Sequence, residues 1–229
     1  MLFVDNLTTD EKQKLLTKFG EIGSPSKKYY ILATLAIIIA TFGLILDSPA
    51  TVIGAMLVAP LMQPILLASI ALVTARTRQL SKAIDAIVKG VVLSVIIATF
   101  ISLLIPIYDM PQEVLSRSQP AILDMFIALA AGAAGMYVMV KKDSATLPGV
   151  AISVALMPPL SVIGIGLATR NYEIAYGAGL LYITNLVAII SSGAFILFLF
   201  GFRPYAKTKE GLFKEGAIIS IASLTILTI

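Results

Sequence analysis

The sequence predicts an all-α polytopic membrane protein made of two inverted three-helix repeats, with discontinuous second and fifth spans and a partial seventh helix. Three observations carry that expectation: an extreme composition, a lopsided distribution of basic residues, and a match of the chain to itself at an offset of 95 residues. Of 229 residues, 58% are hydrophobic and 13% charged, with a mean hydropathy of +0.96. A soluble domain carries about a quarter of its residues as charges, so hydrocarbon is the solvent this chain suits. His and Cys are absent. That excludes disulfides, thiolate nucleophiles, haem and iron–sulfur ligation, most zinc sites and a histidine relay, and no cofactor is expected.

A window of about 19 residues finds apolar segments near 29–46, 49–75, 83–105, 121–140, 147–169 and 174–201. Each is long enough, because about 20 helical residues cover the hydrocarbon. A further run, 216–229, is shorter and reads as a partial span. The chain therefore divides into a charged leader (1–28), a first three-span repeat (29–106), a second (107–201), and a linker with the partial seventh helix (202–229). In the leader, Thr8 and Glu11 have capping-box spacing ahead of Leu15, Leu16 and Phe19, so a short amphipathic helix at the inner surface is expected. It has no apolar core, so insertion is expected through the first span rather than a cleavable signal.

With the N-terminus in the cytoplasm, fifteen of the seventeen Lys and Arg residues fall on that side, and only Arg117 and Arg170 fall outside. The positive-inside rule supports that orientation and the count of six spans. The net charge of +4 is thereby a matter of membrane side. Nucleic acid is not expected as a partner, since no basic groove or aromatic platform is present.

At the 95-residue offset, GAMLVAPLMQPILLASIALVT (54–74) aligns with GVAISVALMPPLSVIGIGLAT (149–169) with seven identities, among them Pro64/Pro159, Ile70/Ile165 and Thr74/Thr169. An odd number of spans per copy makes the second copy enter from the opposite face, a recurring plan of secondary transporters. Pro60 and Pro64 in the second span, and Pro158 and Pro159 in the fifth, then sit near the bilayer midplane. Each proline lacks an N–H and frees the carbonyl four residues back. Lipid supplies no replacement donor, so broken backbone at this depth must face protein or a wet cavity. Gln63 adds an amide between the first two prolines. A kink repaired by neighbouring helices is the competing reading.

Asn185 lies deep in the sixth span, as ligand contact or as interhelical glue, and it aligns with Gly90. Asp124, near the outer end of the fourth span, and Asp47, at the end of the first, are candidates for proton or cation coupling. Both also read as structural: Asp124 as a cap or a partner of Arg117, Asp47 as a turn residue in Asp-Ser-Pro. Ala128 with Gly132, and Ala131 with Gly135, have small-xxx-small spacing that admits a close helix, within the subunit or between copies. Asp85 and Lys89 read as an i, i+4 pair.

Four stretches, IGAMLVAPLMQPI (53–65), RSQPAILDMFIALAAGAAG (117–135), GVAISVALMPPLSVIGIGL (149–167) and TNLVAII (184–190), closely resemble the hydrophobic prokaryotic membrane proteins grouped as domain of unknown function 389. The resemblance implies a multi-pass protein of a prokaryotic inner membrane, with no known cofactor and no assigned activity. Relatives with a larger soluble extension are part of what it implies.

These readings together lead to an expected transporter or channel for a small solute or ion, passing at Pro60, Gln63, Pro64, Pro158, Pro159 and Asn185 and assembled as a homo-oligomer. A membrane scaffold without transport is the alternative. An enzyme is not expected, because the chain has no H-E-x-x-H, no G-x-S-x-G and no aspartyl dyad.

Overall fold

The computed structural model describes residues 12, 13, 15 to 17, 26 to 141 and 146 to 203. Among these residues all regular structure is helical. The 216–229 run and most of the leader lie outside them; Leu15 of the leader is buried in the main apolar core.

The helix starts follow from local chemistry. Helix α1 (Lys27–Ile45) begins at Ser26, whose side chain accepts the Tyr29 N–H. Helix α2 (Pro49–Val58) begins at Ser48, which accepts the Thr51 N–H, with Pro49 at the first position where no N–H is needed. Helix α3 (Met62–Val73) follows after a bend of 58°. Helix α4 (Thr77–Leu104), the short α5 (Gln112–Leu115), α6 (Ile122–Lys141), α7 (Thr146–Ala168) and α8 (Tyr172–Leu199) complete the order. Five helices (α1, α4, α6, α7 and α8) are long and apolar enough to cross a membrane, and α2 with α3 passes the same test only as a bent pair. The chain is a multi-pass membrane protein.

Helix α7 is the centre of the bundle and packs on α1, α2, α3, α4, α6 and α8. In its apolar window 72% of residues are buried, against 22% for α4. The difference is written in side-chain size. Helix α4 turns Ala83, Ala86, Gly90, Ser94 and Ala98 inward, and exposes Ile84, Val88, Val92, Ile96 and Phe100 at i, i+4 spacing. Helices approach one another in lipid through small residues, and the bulky stripe faces acyl chains. The Ala128–Gly132 stripe of α6 is used within the chain: a Cβ on Gly132 would lie 2.3 Å from Ser192 Oγ and 2.5 Å from the Ile189 carbonyl oxygen of α8.

Helices α3 and α7 end in the same way. Thr74 Oγ1 donates to the Ile70 carbonyl (2.7 Å), Ala75 takes φ 55°, and Arg76 N–H reaches back to Ala71 (2.9 Å). Ninety-five residues on, Thr169 Oγ1 donates to Ile165 (2.9 Å), Arg170 takes φ 57°, and Asn171 N–H reaches back to Gly166 (2.9 Å). Helices α4 and α8 then run 28 residues each.

The two proline pairs behave differently, and here the sequence expectation needs correction. The second span is interrupted: Ala59, forced out of the α region by the proline that follows it, is extended (φ −65°, ψ 124°). Pro64 then falls in the first turn of α3, where its missing N–H has no partner to lose. The fifth span is not discontinuous. Pro158 and Pro159 lie inside an unbroken α7. A donor from a neighbouring helix repairs part of the loss.

Candidate functional site

That donor is Asn185. Its Nδ2 donates to the Ala155 carbonyl at 3.0 Å, the acceptor that Pro159 leaves without its i+4 N–H. Asn185 is 3% exposed, and its Oδ1 has no hydrogen-bond partner. An unpaired amide oxygen at this depth is costly. The hydrogen bond to Ala155 fixes which end of the amide remains unpaired, since only the nitrogen can donate.

Asn185 lines a cavity of about 250 Å³ with Pro159, Val154, Asp124, Arg117 and Met56. Asp124 Oδ2 accepts the Ala121 N–H (3.1 Å) and so caps the first turn of α6. Arg117 pairs with Glu113, not with Asp124. The cavity thus has a paired arginine and a capping carboxylate among its walls, together with Asn185 and a proline.

A second cavity, about 160 Å³, lies at the break of the second span, lined by Pro60, Gln63, Ala59, Gly149 and Val150 together with Met56. Val150 and Val154 are one turn apart on α7 and Met56 borders both spaces, so the two cavities follow one stripe of that helix. Ser153, on the same turns, stitches them. Its hydroxyl lies 3.1 Å from the carbonyl oxygen of Ala59 and 2.9 Å from that of Gly149. The Ala59 carbonyl, at the end of an interrupted helix, finds its donor there.

The residues singled out from sequence are therefore distributed. Pro60 and Gln63 share one cavity; Pro159, Asn185 and Asp124 share the next. Pro64 borders a third, much smaller space with Tyr29 and Gly90. Pro158 is buried in α7 and borders none of the three. Asp47 stands apart as well: exposed, at φ 50°, its Oδ1 accepts the Glu113 N–H (2.8 Å) and ties the α1–α2 turn to α5. Ser153 and Tyr29 were not foreseen. A serine four residues after a glycine in an apolar helix, and a tyrosine at a helix start, carry no signal of their own in sequence.

A bundle of this kind defines a polytopic helical membrane protein with polar groups buried at an interrupted span. Residues 56–191 match the family described as Domain of unknown function (DUF389), and the chain belongs to it. It is 30% identical over 200 residues to the uncharacterized protein MJ0678 of Methanocaldococcus jannaschii. That alignment covers 87% of this chain and 62% of the relative, so the chain spans under two thirds of the relative's length. No solved structure matches.

Proposed function

We propose that the protein passes a small solute or ion across a prokaryotic inner membrane, N-terminus in the cytoplasm, along the stripe of α7 that borders the interrupted span. The observation that carries this reading is Asn185: a buried amide that lines a cavity, whose nitrogen is committed to a proline-freed carbonyl and whose oxygen has no partner. A purely structural amide in lipid would satisfy both ends. The leftover group is an acceptor and the nearest carboxylate is Asp124. The reading therefore favours a cation or a solute bearing N–H or O–H donors.

Two inverted repeats are the architecture of this proposal. The matched helix ends at Ala75 and Arg170 support it. So do the cross-bundle contacts: α3 packs on α8 as α7 packs on α4, and α1 on α7 as α6 on α3. Swapping the two copies exchanges the members of each pair. Alternating exposure of a shared path to either face is what such a pseudo-symmetric bundle offers.

The test is flux in proteoliposomes over a panel of potassium, methylammonium, glycerol and chloride. Potassium, methylammonium or glycerol should pass, and Asn185→Leu should reduce that flux about tenfold, the equivalent of one lost buried hydrogen bond. Failure of the whole panel, or unchanged flux in a folded Asn185→Leu variant, rejects the reading.

A further inference from the structure

The 95-residue offset also relates two of the cavities. Asp124, Pro159 and Asn185 line the large one; their counterparts one repeat earlier are Tyr29, Pro64 and Gly90, and these three line a single space of about 10 Å³. One space is roomy and its counterpart is almost filled. Gly90 leaves room where Asn185 has a side chain, and the Tyr29 hydroxyl occupies that room: a Cβ on Gly90 would lie 2.8 Å from Tyr29 Oη. Tyr29 itself is 3% exposed, and Tyr182 and Ile87 border the same space.

The two spaces belong to opposite ends of the bundle. Helix α1 starts beside Tyr29; three passes later (α1, the bent pair, α4) the chain has changed sides, and α6 starts beside Asp124. We infer that the Tyr29–Pro64–Gly90 chamber is a further branch of the passage beside the Pro60–Gln63 cavity, filled by the Tyr29 ring, and that it opens to the opposite face when that ring swings out. The inference rests on the transport reading for its purpose, while its geometry stands separately. The ring is suited to gating because it is attached near a helix start and meets no side chain at Gly90. Its removal changes the volume of the chamber without breaking a backbone hydrogen bond.

The chain has no cysteine, so single-cysteine reporters need no prior substitution. In the full-length protein in proteoliposomes, Ile87→Cys should react slowly with a membrane-impermeant maleimide, while Val154→Cys reacts readily from the opposite face. Adding Tyr29→Ala should raise the Ile87→Cys rate at least about tenfold, since a chamber open in at most about 10% of molecules becomes open in most. Gly90→Ala, which pushes the hydroxyl out, should act in the same direction, and Tyr29→Phe, which keeps the ring, should leave the chamber shut. Equal Ile87→Cys rates with and without Tyr29→Ala and Gly90→Ala overturn the gate, as does labelling of both reporters from one face. A chamber that opens in Tyr29→Ala while no panel solute passes upholds the gate and rejects transport. Flux lost in Asn185→Leu with labelling unmoved by either gate variant rejects the gate alone.

Discussion

Ser69 Oγ lies 2.9 Å from the point where a Cβ on Gly193 would stand, so α3 and α8 meet there with no room for a side chain. A matching contact recurs at the 95-residue offset with the partners exchanged. Gly164, 95 residues after Ser69, faces Ala98, 95 residues before Gly193, and a Cβ on Gly164 would lie 2.4 Å from the Ala98 Cβ. One crossing joins α3 to α8 and the other joins α7 to α4. Such reciprocity is what the proposed pair of repeats would produce, and it makes glycine identity testable at both crossings.

Gly164 should be the less tolerant of the two. Its added Cβ would also meet the backbone nitrogen of Thr99 at 2.7 Å, which cannot step aside, whereas at Gly193 the nearest atom is the Ser69 hydroxyl, which can rotate at the expense of one long hydrogen bond to the Ile65 carbonyl (3.3 Å). Gly164→Ala should cost about 1–3 kcal/mol by overpacking, and Gly193→Ala less. Adding Ala98→Gly to Gly164→Ala should recover part of the loss. Thermal unfolding in detergent, read as a double-mutant cycle, checks both statements; equal costs at the two glycines would contradict the assigned crossings.

Gly132 tests the pairing of α6 with α8. With Ser192 Oγ and the Ile189 carbonyl both inside 3 Å of the missing Cβ, Gly132→Ala must push α6 off α8. A loss of roughly 1–3 kcal/mol is expected, against a much smaller one for Gly54→Ala, whose Cβ would meet nothing within 4 Å. Unfolding midpoints of the two variants decide it.

How far the sequence reached is best seen at the prolines. The spans and the departure from helix ahead of Pro60 were legible because they depend on near neighbours: apolar length, and the residue before a proline being driven extended. The continuity of α7 was not. Its repair comes from Asn185, thirty residues away on another helix, and no local pattern reports a donor arriving from outside. The gating role inferred for Tyr29 was hidden for a related reason. It depends on Gly90, whose meaning emerges only once Asn185 is seen in the matching place. At Asp47 and Asp124 the structural alternative read from sequence is visible. Both are acids near a membrane, and both spend a carboxylate oxygen on a backbone N–H, one tying two turns together and one capping α6.

Asp47 lends itself to a sharp separation of structure from coupling. Asp47→Asn keeps the acceptor for the Glu113 N–H and tolerates φ 50°, so stability and any flux should be unchanged. Asp47→Val loses the acceptor and puts a β-branched residue in the left-handed region, which should cost about 2–3 kcal/mol. Unfolding and flux measured on both variants test this. A stable Asp47→Asn protein with abolished flux would restore Asp47 to the passage.

The hydrogen bond between Asn185 and Ala155 allows the most discriminating experiment, because the missing donor can be put back. Asn185→Ala leaves the Ala155 carbonyl unpaired, and a loss of roughly 0.6–2 kcal/mol is expected, given the range for interhelical bonds in bilayers and for buried acceptors generally. Pro159→Ala restores an N–H four residues after Ala155, so the same Asn185→Ala change in that background should cost distinctly less. The coupling is expected to be positive and about 0.5 kcal/mol or more, the scale at which contacting residues depart from additivity. Stability and flux should then part company: the double variant regains its helix hydrogen bond and still lacks the Oδ1 acceptor, so unfolding recovers while transport does not. Additive costs would mean that Pro159 and Asn185 are not partners through Ala155, and recovery of flux along with stability would mean that the amide only mends the helix.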